Sequence, residues 1–215
     1  IFLFNRVKAD SSVSLSEFAG LFIHGNPVLA LESVFRYYRA RDERQTVVIT
    51  ERMGRTKSRI TVDELLEALK DPRFNVRFEA IISIARTDSN PRLVKALCQI
   101  VDGTELSLGV IAAWALGRIG AGDEQALTSL RRGMNSQYRS IQAHCVRALG
   151  TLGDVSVVPT LLERLKTESD KGLRIAYSSA LGNLRSTDAI PTLLDVLLDT
   201  ENEGARIELA LALAR

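Results

Sequence analysis

Histidine is scarce in this 215-residue chain: there are two, His24 and His144. Neither belongs to an HExxH step or a Cys/His cluster, and a catalytic zinc or iron site needs three or four converging ligands. The sequence therefore offers no metal chemistry and implies no cofactor. Cysteine is as rare. Cys98 and Cys145 make no disulfide framework. Both sit in apolar helical pattern and read as buried free thiols in a reducing compartment. Aromatic residues are 6% of the chain and Trp114 is the one tryptophan, whereas Leu and Ala abound. That balance suits close helix-on-helix packing better than a sandwich or barrel. No apolar run reaches the roughly 18 residues that span a bilayer. Walker-type phosphate loops and GxSxG elbows are missing, so nothing points to nucleotide or serine-hydrolase chemistry. Charge is balanced too, at net +2 with 25% charged residues, an ordinary soluble surface.

What the chain has is repetition. Ala115-Leu116-Gly117, Ala148-Leu149-Gly150 and Ala180-Leu181-Gly182 are copies, flanked by worn versions at Ser83-Ile84-Ala85 and Ala212-Leu213-Ala214. The central residues are spaced by 32, 33, 32 and 32. A fixed period of this size, filled with helical pattern, specifies stacked helical hairpins. A second column, Leu65, Leu97, Leu130, Leu162 and Leu194, runs 19 residues ahead of the first and is expected to face inward. Pro91, Pro159 and Pro191 recur near the start of each first helix, where proline is tolerated. The small column Ser83, Ala115, Ala148, Ala180 and Ala212 lets neighbouring helices approach closely. Gly117, Gly150 and Gly182 are expected to be left-handed helix caps. Units are expected at about 61–89, 90–122, 123–153, 154–186 and 187–215. No hairpin buries its apolar stripe alone, so stacking is obligatory. The fold class is all-α, a right-handed α-α superhelix of five to six hairpins.

Residues 1–60 read as a separate N-terminal segment. Helix starts are expected at Ser14 and at Asn26-Pro27. Residues 27–54 read as a degenerate repeat, because Met53 lies 31 residues before Ile84. A helix over 42–53 ends at Gly54 in this reading. The opening Ile1-Phe2-Leu3-Phe4, without Met, suggests a piece of a longer chain. Residues 36–59 are basic: Arg36, Arg39, Arg41, Arg44, Arg52, Arg55, Lys57 and Arg59 stand against three acids, a net of +5. Beside an anionic leaflet each such charge contributes about 1 kcal/mol.

The wording Val76-Arg77-Phe78-Glu79-Ala80, Ala112-Ala113-Trp114-Ala115-Leu116-Gly117 and Asp188-Ala189-Ile190-Pro191-Thr192-Leu193-Leu194 resembles HEAT repeats. More narrowly it resembles the short HEAT-like repeats named after phycobilisome lyases. Residues 58–86, with the N-terminal apolar run and basic segment, are also similar to the cytosolic HEAT-like tail of some bacterial transporters of the major facilitator type. The first resemblance covers about 61–215 and implies the fold. The second implies a cytoplasmic domain at the inner face of a membrane. HEAT-like DNA glycosylases have a basic, aromatic-lined cleft. Here residues 61–215 carry 18 Lys and Arg against 20 Asp and Glu, which speaks against nucleic acid.

The surface then has to carry function. Two positions before the Leu column lie Ile82, Trp114, Arg147, Ser179 and Leu211; two after it lie Arg86, Arg118, Thr151, Asn183 and Arg215. Positions four apart stack on one helical face. Trp114 with Arg86, Arg118 and Arg147 is the expected hot spot, since Trp and Arg dominate binding energetics. Arg77, Arg174 and Arg206 recur seven places before the column and are expected to pair between repeats. The expected function is a non-enzymatic protein-interaction or regulatory scaffold. Its partner is another protein or the membrane-embedded part of the same chain, with an anionic lipid surface nearby. The alternative is a phycobilin lyase-like or other enzyme-associated repeat protein.

Overall fold

The computed structural model describes residues 43–56 and 61–215, without the side chains of Gln45, Arg52 and Thr56. The helix starts expected at Ser14 and Asn26-Pro27, and His24, lie outside the described residues. Among the described residues all regular structure is helical: α1 (Glu43–Thr56), α2 (Val62–Ala68), α3 (Phe74–Ile84), α4 (Pro91–Val101), α5 (Leu106–Ile119), α6 (Glu124–Gly133), α7 (Arg139–Leu152), α8 (Val158–Thr167), α9 (Lys171–Asn183), α10 (Ile190–Leu198) and α11 (Glu203–Leu213). Single 3₁₀ turns at Val155–Val157 and Thr187–Ala189 lead into α8 and α10. The chain divides into two compact units, one ending at Asp88 and one spanning Ser89–Arg215. The architecture is an all-α solenoid of helical hairpins.

In the first unit α1 packs along α3, and α2 pairs with α3 as a hairpin. Met53, Leu65, Val76, Ala80 and Ile84 are fully buried. The register of the degenerate repeat shows in the contacts. The Ser83 hydroxyl donates to the Thr50 carbonyl at 2.9 Å, and a methyl placed on Gly54 would lie 2.6 Å from Ser83 Cα. Gly54 is therefore a contact point rather than a stop, and α1 continues two residues beyond it. Thr61 precedes α2 without a side-chain capping bond. Arg77 clasps its own turn, donating to the carbonyls of Asp71 at 2.8 Å and Pro72 at 3.0 Å.

In the second unit each odd-numbered helix from α5 to α11 is the second helix of a hairpin and packs on the next one along. Proline stands in the first turn of α4, α8 and α10. Asn90, Asp123, Asp170 and Asn202 cap α4, α6, α9 and α11 through side-chain oxygens. This satisfies backbone N–H groups that lack a helical partner. Leu116, Leu149 and Leu181 are wholly buried, each contributing roughly 1.5–3 kcal/mol.

Two expectations are corrected here. Gly117, Gly150 and Gly182 are not caps, because each lies inside its helix. They are the points of closest approach between successive second helices. A methyl on Gly117 would lie 3.1 Å from Ala148 Cα, one on Gly150 2.7 Å from Ala180 Cα, and one on Gly182 2.6 Å from Ala212 Cα. The small column and the glycine column are thus the two sides of one contact. The second correction concerns the inner leucines. Leu65, Leu97 and Leu130 are buried, but Leu194 is 46% exposed and Leu162 half-buried; Leu161 and Leu193 take the inner positions. The 3₁₀ turns before α8 and α10 wind at three residues per turn and rotate the inward face by one residue.

The helix ends after α7 and α9 share one geometry. The amide of Asp154 donates to the Leu149 carbonyl at 3.1 Å, and that of Ser186 to the Leu181 carbonyl at 3.2 Å. Both need a left-handed residue, supplied by Gly153 with φ 78° and by Arg185 with φ 52°. A side chain there costs about 1–2 kcal/mol, partly offset by glycine's freedom in the unfolded chain. Arg185→Gly is expected to raise stability by about 0.5–1 kcal/mol in urea denaturation. An unchanged or lowered midpoint would sink that expectation.

Candidate functional site

The ridge on the second helices is built by the glycine contact. Gly117 of α5 meets Ala148 of α7. The adjoining residues, Arg118 and Arg147, are both exposed, and neither side chain makes a hydrogen bond or ion pair among the described residues. Trp114 lies one turn before Arg118 on the same face of α5 and is 43% exposed. It therefore does not close the edge of the core. The patch is a large aromatic surface beside two uncompensated guanidinium groups, on helices pinned by backbone-to-backbone contact. Thr151, one turn beyond Arg147, is exposed and turns its hydroxyl back to the Arg147 carbonyl at 2.9 Å. His144 is half-buried, with Nδ1 2.8 Å from the Ser140 carbonyl. Further along, Arg215 donates to Asn183 Oδ1 at 2.7 Å.

Arg86 is different. It belongs to the first unit and lies 3.5 Å from Glu79 and 3.9 Å from Glu51. Glu79 is held above the usual carboxylate range by burial, with Ser83 and Arg86 acting in the opposite sense. Arg86 is thus engaged with carboxylates, unlike Arg118 and Arg147. In the basic segment, Arg44 and Arg55 are exposed and Arg55 pairs with Glu51. Arg36, Arg39, Arg41, Lys57, Arg59 and the side chain of Arg52 lie outside the described residues.

Between repeats, acids in the turn between the two helices of a hairpin are matched by arginines of the preceding unit: Asp170 caps the start of α9, and Asp199 stands at the end of α10. Arg139 donates to Asp170 at 2.9 Å and Arg174 to Asp199 at 3.4 Å. Arg174 of the expected arginine column makes such a bridge. Arg77 serves its own turn, and Arg206 is exposed without a hydrogen-bond or ion-pair partner for its side chain among the described residues. One bridge with a buried carboxylate is not legible in the repeat pattern. Asp154 accepts from Arg131 Nε at 2.7 Å, Arg131 Nη2 at 3.0 Å and Ser156 Oγ at 2.6 Å. Burial pushes the Asp154 carboxyl upward, but the bonds from Arg131 and Ser156 outweigh it and hold it below the usual value.

Other chemistry is muted. Burial raises the Cys98 thiol to about 11 and the Cys145 thiol to about 12, so both are poor nucleophiles. Among the described residues no three His, Cys, Asp or Glu side chains converge as metal ligands. No described helix is long and apolar enough to cross a membrane. An open groove of about 380 Å³ lies between α9 and the α10–α11 turn, with Lys171, Arg174, Asp199 and Glu201 at its rim and Ile175 and Leu209 among its apolar lining.

No curated protein matches the chain. A family model described as HEAT repeats matches residues 62–143 and again 133–214. These matches run through the hairpins, the glycine contacts and the ridge just described, and repeats of this kind generally mediate protein interaction and are typically non-catalytic. The chain belongs to the HEAT-repeat family.

Proposed function

We propose that this chain is a non-enzymatic interaction scaffold that binds a protein partner through the ridge centred on Trp114, Arg118 and Arg147. The observation that carries this reading is the exposed indole beside two arginines that have no partner among the described residues. Such a surface is hydrated at a cost that an acidic, apolar partner segment relieves, and Trp and Arg are the residues whose truncation costs interfaces most. In this reading residues 61–215 form the repeat array and residues 1–60 an N-terminal part that includes the degenerate repeat and the basic segment. The array is of the short, phycobilisome-lyase-like kind. The whole is the cytoplasmic part of a larger bacterial membrane protein of transporter type. The net charge of +5 over residues 36–59 supports a place at an anionic surface.

The test is photo-crosslinking in the native host from a reactive group at Thr151, which is exposed beside the patch. A discrete adduct is expected with the wild-type chain. Trp114→Ala is expected to reduce its yield at least tenfold, in line with a hot spot worth about 2 kcal/mol or more. An adduct that survives both Trp114→Ala and Arg118→Glu places binding elsewhere. The membrane part is tested by sedimentation with vesicles containing anionic lipid. Binding that persists after Arg44, Arg52, Arg55, Lys57 and Arg59 are made Gln and residues 1–42 are removed would overturn the role given to the basic segment.

A further inference from the structure

The groove of about 380 Å³ between α9 and the α10–α11 turn is open because small residues stand where the earlier joints have large ones. Ala205 and Leu209 are in its lining. In the preceding joint, between α7 and the α8–α9 turn, the residues 32 places earlier are Leu173 and Tyr177, which are 3% and 2% exposed. The Tyr177 hydroxyl lies in the field of Arg164, Glu168 and Asp170, the counterparts of Val196, Thr200 and Asn202. Its ring therefore occupies the region that is open beside Leu209. One joint earlier still, Ile141 holds the place of Ala205 and packs against Gly109. In both earlier joints the filling comes from the two hairpins that form the joint. Ala205 and Leu209 together fall short of Leu173 and Tyr177 by about the bulk of a benzyl group.

The two walls of the groove carry opposite charge. Lys171 and Arg174 line it from α9, Asp199 and Glu201 from the turn. In the preceding joint Thr167 and Ser169 hold the places of Asp199 and Glu201, so the acidic wall is a departure from the repeat. Arg174 reaches Asp199 at 3.4 Å. Lys171 and Glu201 are exposed and form no ion pair among the described residues. A simple anion in the groove meets two carboxylates, and a simple cation meets two basic groups. A neutral apolar molecule leaves both charged walls without a partner. A compact zwitterion with an apolar side chain satisfies the walls and the lining together.

We infer that this groove binds a free α-amino acid with a large apolar side chain. The carboxylate lies toward Lys171, the ammonium toward Glu201, and the side chain against Ile175, Val196, Ala205 and Leu209. The groove is at the small end of the range for small-molecule sites, which suits a ligand of one residue. A ligand held in this way ties α9 to the α10–α11 hairpin. The site is separate from the Trp114 ridge, and the two can succeed or fail independently.

The experiment titrates the full chain with L-phenylalanine and reads the methyl resonances of Ile175, Val196, Ala205 and Leu209. Saturable shifts are expected, with a Kd of about 1 mM or tighter. Hydrocinnamate lacks the ammonium and phenethylamine lacks the carboxylate, and each is expected to bind about tenfold more weakly or worse. Lys171→Glu and Glu201→Lys change exposed residues and leave the fold intact. Each alone is expected to weaken binding about tenfold, and the two together to recover most of the loss, because the ligand can bind the other way round. Ala205→Leu restores the residue of the preceding joint and is expected to abolish the shifts. The proposal is overturned if about 10 mM L-phenylalanine leaves the four methyls unmoved. It is equally overturned if hydrocinnamate binds as well as L-phenylalanine, or if binding ignores both Lys171→Glu and Ala205→Leu.

Discussion

Gly150→Val is expected to destabilise the second unit by about 3 kcal/mol, the upper end of what overpacking a tight contact costs. A methyl at Gly150 already falls 2.7 Å from Ala180 Cα, 2.9 Å from its Cβ and 3.1 Å from its carbonyl oxygen. Two of these three atoms are main chain, so no side-chain rotation relieves the clash. Helices α7 and α9 must part. Against this stands the gain of about 1 kcal/mol from removing glycine from a helix interior. The balance changes along the row, which gives the prediction its shape. Gly150→Ala and Gly182→Ala are expected to lose stability, since their methyls fall within 2.7 Å of the main chain. Gly117→Ala, at 3.1 Å, is expected to be close to neutral. Gly204→Ala, with nothing nearer than the Asn202 side chain at 3.4 Å, is the control and is expected to be neutral or slightly stabilising. Urea denaturation of the four alanine variants and Gly150→Val gives the order. A tolerated valine at 150 would show that the second helices are not in contact there.

The second large effect is a pH dependence centred on Glu64. This glutamate of α2 is 1% exposed, and its Oε2 finds no hydrogen-bond partner. Burial raises its carboxyl to about 7. The folded chain therefore holds a proton at Glu64 that the unfolded chain releases near pH 4.5. Below about pH 4.5 both states are protonated and the group costs nothing extra. As pH rises toward and through 7, the folded state must ionise a buried, unpartnered carboxyl or keep its proton against the solvent, and stability falls. The loss is up to about 3 kcal/mol, from roughly 1.4 kcal/mol per unit of separation. Glu79, also raised by burial, acts in the same direction. Asp71, Asp154 and Asp170 are held low. Their contributions disappear only as pH falls through the acid range, outside this window. The expected result is that the first unit is more stable at pH 5 than at pH 8 and that Glu64→Gln flattens the difference. Hydrogen exchange of α3 amides at the two pH values measures it. A wild-type profile without slope between pH 5 and 8 would show that Glu64 is solvated or paired.

These two sites mark the limits of what the sequence displays. The period of 32 or 33 residues and the Ala-Leu core are legible because every unit must bury the same stripe. The role of Gly117, Gly150 and Gly182 is not. A left-handed cap and a close contact both demand the absence of Cβ, and one chain cannot distinguish them without knowing where the helix ends. The inner leucines fail for a related reason. Leu161-Leu162 and Leu193-Leu194 are adjacent pairs, and a single 3₁₀ turn decides which member faces in. Trp114 and Arg118 were visible as a ridge because their spacing places them on one face. Whether a cation on that ridge is free depends on partners far along the chain, and so Arg86, held by Glu79 and Glu51, could not be told from Arg118. Glu64 gave no signal, because an acid in the first turn of a helix ordinarily faces water and favours the helix dipole.

The glycine-to-alanine contact has a consequence for how this chain can change length. Gly117 meets Ala148, Gly150 meets Ala180 and Gly182 meets Ala212, each through the same pair of residue types. The surfaces exposed by cutting at any of these joints are interchangeable. Excision of residues 154–186 leaves Gly150 to meet Ala212 with no new side chain required. Duplication of the same stretch leaves the extra glycine to meet another alanine. Unequal recombination in units of 32 or 33 codons thus yields longer or shorter arrays whose seams already fit.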